Sequence, residues 1–280
     1  MKLSEAWGLY EQDKRIEGFS QTTLKGYKIQ NNLLIRHFGD IDLDEITLQD
    51  LKTYLIEKGS HLKPASLGMR IRAIRAFFRW ASEEGYAVSN PARKLREPKL
   101  GMRIPKALNE EETLLLQDAC KSPIEHALVE FTYSTGCRIS EVYRMNRDSI
   151  DWDNHSCIVL GKGNKEREVY FSLRCALWLK RYLKSRKDDN DALFVTERSP
   201  HRRMSTDQLR RVIKRVAKRS EVTTNVYPHK LRHSFATHLL NKGAPMEGIQ
   251  TLLGHQKLET TQIYAVLSGP RRKQIYVTYF

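Results

Sequence analysis

One interruption constrains the folding of this chain more than any other feature. Residues 96–107, REPKLGMRIPKA, hold two prolines, a glycine and four basic side chains without any apolar period. Proline and glycine end the regular elements on either side, so the stretch reads as a basic interdomain linker. It separates residues 1–95 from 108 onward, and each segment is long enough to bury a core without disulfide or metal. A positive linker between two domains would allow the chain to close around a polyanionic partner.

The first segment reads as all-helical. Apolar spacing predicts one helix over 4–19 and a second after Thr22, where Leu24, Tyr27, Leu34 and Phe38 recur. A third opens at Thr47, with Asp50 as a capping-box partner, and stops at Gly59. The fourth, over 64–84, carries an apolar stripe of Leu67, Ile71, Ile74, Phe78 and Ala81 beside a basic stripe of Arg72, Arg75 and Arg79. Three guanidinium groups on one exposed face suit a phosphate backbone, and an ordinary solvated face has the same pattern.

From Asn109 the chain is again mostly helical, with helices expected at 173–184, 206–219, 229–242, 246–253 and 259–266. The exception is a pair of strand-like runs, 156–160 and 168–171, flanking Gly161-Lys162-Gly163-Asn164-Lys165-Glu166-Arg167, a charged hairpin turn. A short strand at 192–195 is expected to join them. In the 206–219 helix Leu209, Val212, Ile213 and Val216 face inward. Arg210, Arg211, Lys214, Arg215, Lys218 and Arg219 occupy nearly everything else, which suits insertion into a major groove.

Charge points the same way. Lys and Arg total 48 against 33 Asp and Glu, a net charge of +15. The first hundred residues hold 17 basic and 13 acidic side chains and the remainder 31 and 20, so the excess sits mainly in the second segment. This sign favours a polyanionic partner, nucleic acid or an anionic membrane surface. No apolar run approaches the ~18–20 residues of a membrane-spanning helix, and the N-terminus lacks the apolar core of a secretory signal. Cys120, Cys137, Cys157 and Cys175 form no CxxC pair and read as small core residues in a reducing, cytoplasmic compartment.

Four features of the second segment could carry chemistry: Thr135-Gly136-Cys137-Arg138-Ile139-Ser140-Glu141, with Arg138 and Glu141 three apart; the hairpin with Lys162 and Lys165; His229-Lys230-Leu231-Arg232-His233; and Leu253-Gly254-His255 ahead of Tyr264. His229 and His233 have zinc-pair spacing, but Lys230 stands where a metalloprotease helix has Glu, and no third ligand is evident; no metal or other cofactor is expected. His238 reads as a core histidine. No Gly-rich phosphate loop ends in Lys-Ser/Thr, and no dense acidic cluster suggests a two-metal nuclease. Arginines, a lysine, histidines and a tyrosine in a basic domain are what metal-free attack on a phosphodiester needs. Planar guanidinium groups match charge spread over the phosphoryl oxygens, and a tyrosine of pKa ~10 needs a cationic field or a base to act as nucleophile.

The order Arg…Lys…His-x-x-Arg…His…Tyr, carried by TGCRISE, GKGNKER, HKLRHSFATHLL and LLGHQKLETTQIY, resembles the tyrosine site-specific recombinases of the phage-integrase family, and within it the compact Xer-type enzymes. These motifs run from Thr135 to Tyr264. The first segment is more faintly similar to the family's helical core-binding domain, through SQTTLKGY and ASEEGYAVSNPA. The resemblance implies a mainly α fold with a small β-hairpin sheet: a DNA-binding domain over 1–95, the linker 96–107, a mixed α/β catalytic domain over 108–267 and a tail over 268–280.

It further implies Tyr264 as the nucleophile forming a 3′-phosphotyrosyl link, with Arg138 and Arg232 on the scissile phosphate oxygens. Lys162 would protonate the 5′-hydroxyl leaving group, His229 would assist proton transfer at the tyrosine, and His255 would donate to a phosphate oxygen. Glu141 would orient Arg138 or a histidine, and Lys165 would contact the backbone, with Arg72, Arg75, Arg79, Arg210, Arg211 and Lys214 as further DNA contacts. Two departures stand out. Ala265-Val266 replaces the Thr-His common after the nucleophile, and the tail, with Ile275, Val277, Tyr279 and Phe280, matches nothing in the family and is expected to contact a neighbouring protomer.

The implied partners are double-stranded DNA carrying a specific site and further copies of the chain, four in synapsis. A second recombinase or a DNA translocase is left open, and no membrane is involved. The expected reaction is resolution of chromosome or plasmid dimers. A mobile-element integrase, a type IB-like topoisomerase and a silent DNA-binding regulator are the alternatives.

Overall fold

Local capping chemistry sets where the helices begin. The computed structural model describes residues 1–101, 106–161 and 165–254, in two compact units, Met1–Arg103 and Ile104–Phe280. The first holds α1 (Leu3–Ile16), α2 (Gln21–Phe38), α3 (Leu48–Gly59) and α4 (Pro64–Glu83). The Ser20 hydroxyl accepts from the Thr23 N–H ahead of α2, and α3 opens on the expected box. Its Asp50 N–H donates to Thr47 Oγ1 at 3.2 Å, and the Thr47 N–H donates to Asp50 Oδ2 at 2.9 Å. Pro64 starts α4 at a position whose N–H would have no helical acceptor.

The buried face of α4 is wider than its apolar stripe. Phe77 and Trp80 are buried beside Ile71, Ile74, Phe78 and Ala81, because α1 lays Tyr10 edge-on against both, with ring centroids 5.5 and 5.1 Å away. The Trp80 indole N–H donates to Asp13 at 2.7 Å, so the polar end of this ring is satisfied. Arg72, Arg75 and Arg79 stay exposed on the opposite side.

The second unit is organised around α6 (Pro123–Thr135), which is buried on nearly every side. Around it stand α5 (Glu110–Asp118), α7 (Ile139–Arg144), α8 (Leu173–Ser185), α9 (Thr206–Arg219), α10 (Pro228–Asn241) and α11 (Met246–Leu253). Among the described residues one antiparallel sheet of order β1-β2-β3 packs against them, formed by β1 (Ile150–Asp151), β2 (Ser156–Leu160) and β3 (Glu166–Tyr170). All four cysteines are free and buried, and burial pushes the Cys120 and Cys137 thiols up to about 12 and about 11, which removes their reactivity at neutral pH.

Two expectations are corrected. The hairpin strand begins at Glu166 rather than 168, since the turn closes tightly through the Gly161 N–H donating to the Lys165 carbonyl at 2.8 Å. Residues 192–195 do not join the sheet. They are buried, but they form only single bridges, Ala192 with Asn146 and Val195 with Arg203, while the two-residue strand β1 pairs with β2 instead. Their backbone is shared out among loops: the Leu193 N–H donates to the Met145 carbonyl and the Val195 N–H to the Tyr182 hydroxyl.

The basic face of α9 is also partly internal. Glu125 of α6 is buried and takes hydrogen bonds from Arg215, at 3.0 Å, and from Arg219. Burial pushes its carboxyl up, and these guanidinium groups with the Lys121 N–H overcome that and hold it below its usual range. Two arginines of the expected DNA face are thus committed to the core's charge balance.

Candidate active site

The site is assembled where two helices end and two begin. Gly136 follows α6 at φ +60°, a left-handed conformation that favours glycine, and a Cβ there would lie 2.5 Å from Phe235 Cδ1 and 3.2 Å from Leu253 Cδ2. The side chain of α10 and the end of α11 thus close over the Thr135-Gly136 turn. Arg138 is the residue just before α7. Its N–H donates to Glu141 Oε2 at 2.7 Å and its Nη1 to Glu141 Oε1 at 3.0 Å, so the predicted i,i+3 pair is formed.

Arg232, on α10 and 4 % exposed, donates from Nη1 to the Gly136 carbonyl at 2.8 Å and from Nη2 to the Leu253 carbonyl at 2.6 Å. Arg138 reaches the next carbonyl, that of Gly254, from Nη2 at 3.4 Å. Two guanidinium groups from helices almost a hundred residues apart in sequence therefore meet on consecutive carbonyls at the end of α11. Arg138 keeps 30 % of its side chain in solvent while Arg232 is buried behind it, so Arg138 presents positive charge at the surface, where a guanidinium can bind an oxyanion.

His229, second in α10, has an open face to solvent. Partial burial, then the charges of Arg232, Arg138 and Arg210, lower its pKa against an opposing pull from Glu141. The ring is therefore disposed to be neutral near pH 7. His238 is the packed core histidine that the sequence suggests: the Leu108 carbonyl accepts from Nε2 at 2.7 Å, and the Tyr133 hydroxyl bonds Nδ1 at 2.6 Å. Lys165 is exposed beside the hairpin turn, and Arg210, Arg211 and Lys214 are exposed on α9. Lys162, His255, Tyr264, the 259–266 helix and the 268–280 tail lie outside the described residues.

Sequence reasoning missed Arg167. From β3 it donates to both Glu141 oxygens at 2.8 Å and from Nε to the Leu252 carbonyl at 2.9 Å, with its side chain 10 % exposed. Glu141 is 2 % exposed. Burial pushes its carboxyl up, and the hydrogen bonds from Arg167 and the Arg138 backbone outweigh that and hold it ionised. The signal was strand alternation: Val169 points into the core, so Arg167, two residues back, shares that face.

Comparison with known proteins identifies the family. The chain matches the model of the phage integrase family over residues 106–269, and that of the phage integrase N-terminal SAM-like domain over residues 11–85. It is 34 % identical over 272 residues to the tyrosine recombinase XerC of Alcanivorax borkumensis, covering 92 % of this chain and 87 % of that protein. It resembles the crystal structure of XerA recombinase at 28 % identity and a TM-score of 0.58, over 99 % of this chain and 98 % of the other. A lambda integrase tetramer bound to a Holliday junction shares the fold at 20 % identity and a TM-score of 0.78, over 92 % and 78 % of the two chains.

Proposed function

The chain belongs to the phage integrase family, the tyrosine recombinases, and is a site-specific DNA recombinase that cleaves and rejoins DNA; we propose that it does so through Tyr264, with Arg138 and Arg232 holding the scissile phosphate. The Tyr264 oxygen attacks phosphorus, the bond to the 5′-oxygen breaks, and Lys162 delivers the proton that the leaving oxygen needs. His229, neutral in its cationic surroundings, takes up the tyrosine proton, and His255 donates to a phosphate oxygen. Rejoining is the reverse attack by a 5′-hydroxyl. The phosphotyrosyl bond conserves the energy of the phosphodiester, so the scheme calls for neither nucleotide nor metal. Glu141 orients Arg138. The observation that supports this reading best is the meeting of Arg138 and Arg232 on the Gly254 and Leu253 carbonyls, one residue before His255.

Arg72, Arg75 and Arg79 of the first unit and Lys165, Arg210, Arg211 and Lys214 of the second would contact the duplex, and four copies of the chain would join two duplexes, in keeping with the tetrameric relative. Among the described residues no helix is long and apolar enough to cross a membrane. The likeness to XerC over most of the chain favours resolution of chromosome or plasmid dimers in the cytoplasm, with a second recombinase or a DNA translocase as partner, over insertion of a mobile element. A duplex with a nick beside the cleavage point, which lets the short fragment bearing the released 5′-hydroxyl diffuse away, should trap an SDS-resistant protein–DNA adduct with wild type and none with Tyr264→Phe. An adduct in that variant would overturn the assignment.

A further inference from the structure

We infer that Arg167 is a positioning residue for the cleavage step, a buried cation that holds both phosphate-binding arginines in register from outside the phosphate's reach. The inference rests on the reading of Arg138 and Arg232 given above. Among the described residues the Arg167 side chain makes three hydrogen bonds, two to Glu141 and one to the Leu252 carbonyl. Through Glu141 it fixes the carboxylate that grips Arg138. Through Leu252 it fixes the last turn of α11, whose next two carbonyls accept from Arg232 and Arg138. One guanidinium thus joins β3, α7 and α11 at the point where the two arginines meet.

The shape of the site requires this residue type. Three acceptors around one planar group call for a rigid fork, and a lysine ammonium would reach Glu141 without holding both oxygens and the carbonyl together. Gly254 carries the complementary imprint. It sits at φ +64°, and a Cβ there would lie 2.9 Å from Arg167 Cδ and 3.1 Å from Nη1. The glycine of Leu253-Gly254-His255 and the arginine of the hairpin motif, 87 positions apart, are therefore two halves of one contact. Glu141 and Arg167 are nearly closed to solvent, at 2 % and 10 % exposure, so if Arg167 is lost, water cannot readily replace it on Glu141 and Arg138 is free to turn toward the carboxylate it no longer shares.

Single-turnover cleavage of the nicked duplex tests this, with DNA affinity and thermal midpoint measured on the same variants. Two substrates are compared, one with the ordinary scissile phosphate and one with a neutral methylphosphonate there, which has less need of the two arginines. Arg167→Gln is expected to leave DNA affinity within about threefold of wild type. Its cleavage of the phosphate should fall by about 100-fold, the usual scale for a lost supporting contact or oxyanion donor, and the defect should shrink below about tenfold on the methylphosphonate. Arg167→Lys should recover only part of the rate. Arg167→Gln/Glu141→Gln removes the unpaired buried charge, so it keeps a folded reference should the single variant unfold, and it should stay slow on phosphate and show the same relief on methylphosphonate.

A double variant restored to wild-type rate would overturn the inference, as would an equal defect on both substrates, which is what general loosening of the fold gives. Arg138→Ala and Tyr264→Phe run alongside. If either cleaves the phosphate like wild type, the reading of the site fails; if both behave as expected and Arg167→Gln cleaves normally, only the positioning role fails.

Discussion

His229 makes the charge balance of the site measurable. Partial burial and the neighbouring Arg232, Arg138 and Arg210 all disfavour its protonated form, and Glu141 alone among the named groups favours it. Its pKa therefore lies below the ordinary ~6.5 of a histidine, and the neutral ring persists as the solution is acidified through that value. If neutral His229 receives the tyrosine proton, cleavage should hold its rate down to pH ~6.5 and decline only below it. Arg210→Ala removes one of the cations, so its acid limb should move to higher pH. Single-turnover rates between pH 5 and 8 would check both, and a limb that stays in place in the variant would refute the electrostatic account. The residues of this site differ in how openly the sequence displays them. Arg138 and Glu141 are three apart at a helix start, and Arg232 follows His229 within one turn, so local spacing reveals them. Arg167 serves partners 26 and 85 positions away, and little short-range distinguishes it from Lys165, two residues earlier, except that Lys165 lies in the turn before β3 begins at Glu166.

At the scale of elements, α4 and α9 present similar basic faces for different reasons. On α9 the apolar spacing is fully honoured, with Leu209, Val212, Ile213 and Val216 all buried. At 100° per residue Arg210 and Lys214 fall on one flank, toward His229, while Arg211 and Arg215 fall on the other. Arg215 and Arg219 neutralise Glu125, a residue some ninety positions earlier, so no helical pattern could have shown that they are taken. On α4 the competitor for the basic stripe is Glu97, from the first residues of the interdomain stretch. It accepts from Arg72 Nη1 at 2.6 Å and lies 3.9 Å from Arg75, both exposed. A carboxylate in this place holds guanidinium groups that a DNA phosphate would otherwise take, and repels that phosphate. Glu97→Gln should therefore tighten binding to duplex DNA by about two- to fivefold, the scale of an exposed ion pair, and Arg72→Ala should weaken it and flatten its salt dependence. Fluorescence anisotropy titrations between 0.1 and 0.3 M salt would check this. Weaker binding by Glu97→Gln would show instead that the carboxylate aims Arg72 at the DNA.

For the whole molecule the break at 96–107 is read from proline, glycine and lost periodicity, which are local facts, and the chain divides into the compact units Met1–Arg103 and Ile104–Phe280. The 192–195 run was misjudged because a buried apolar segment looks the same whether a sheet or a set of loops takes its backbone groups. The hydrophobic clusters stay within their own units, one drawn from residues 3–95 and the others from 108–253. Each half therefore has the means to fold alone, and each is net positive. Non-specific DNA binding by such a half is expected near 10⁻⁴–10⁻⁶ M, roughly, at physiological salt. A short connection gives the second half an effective concentration of about 1 mM once the first has bound, so joining two halves of about 10 µM affinity should gain about 100-fold. Fragments 1–101 and 106–280, titrated separately and mixed against the same duplex, should each bind at least that much more weakly than the intact chain, with a shallower salt dependence. If the intact chain binds no better than its stronger fragment, the +15 charge acts through one unit alone and the chain does not close around its DNA.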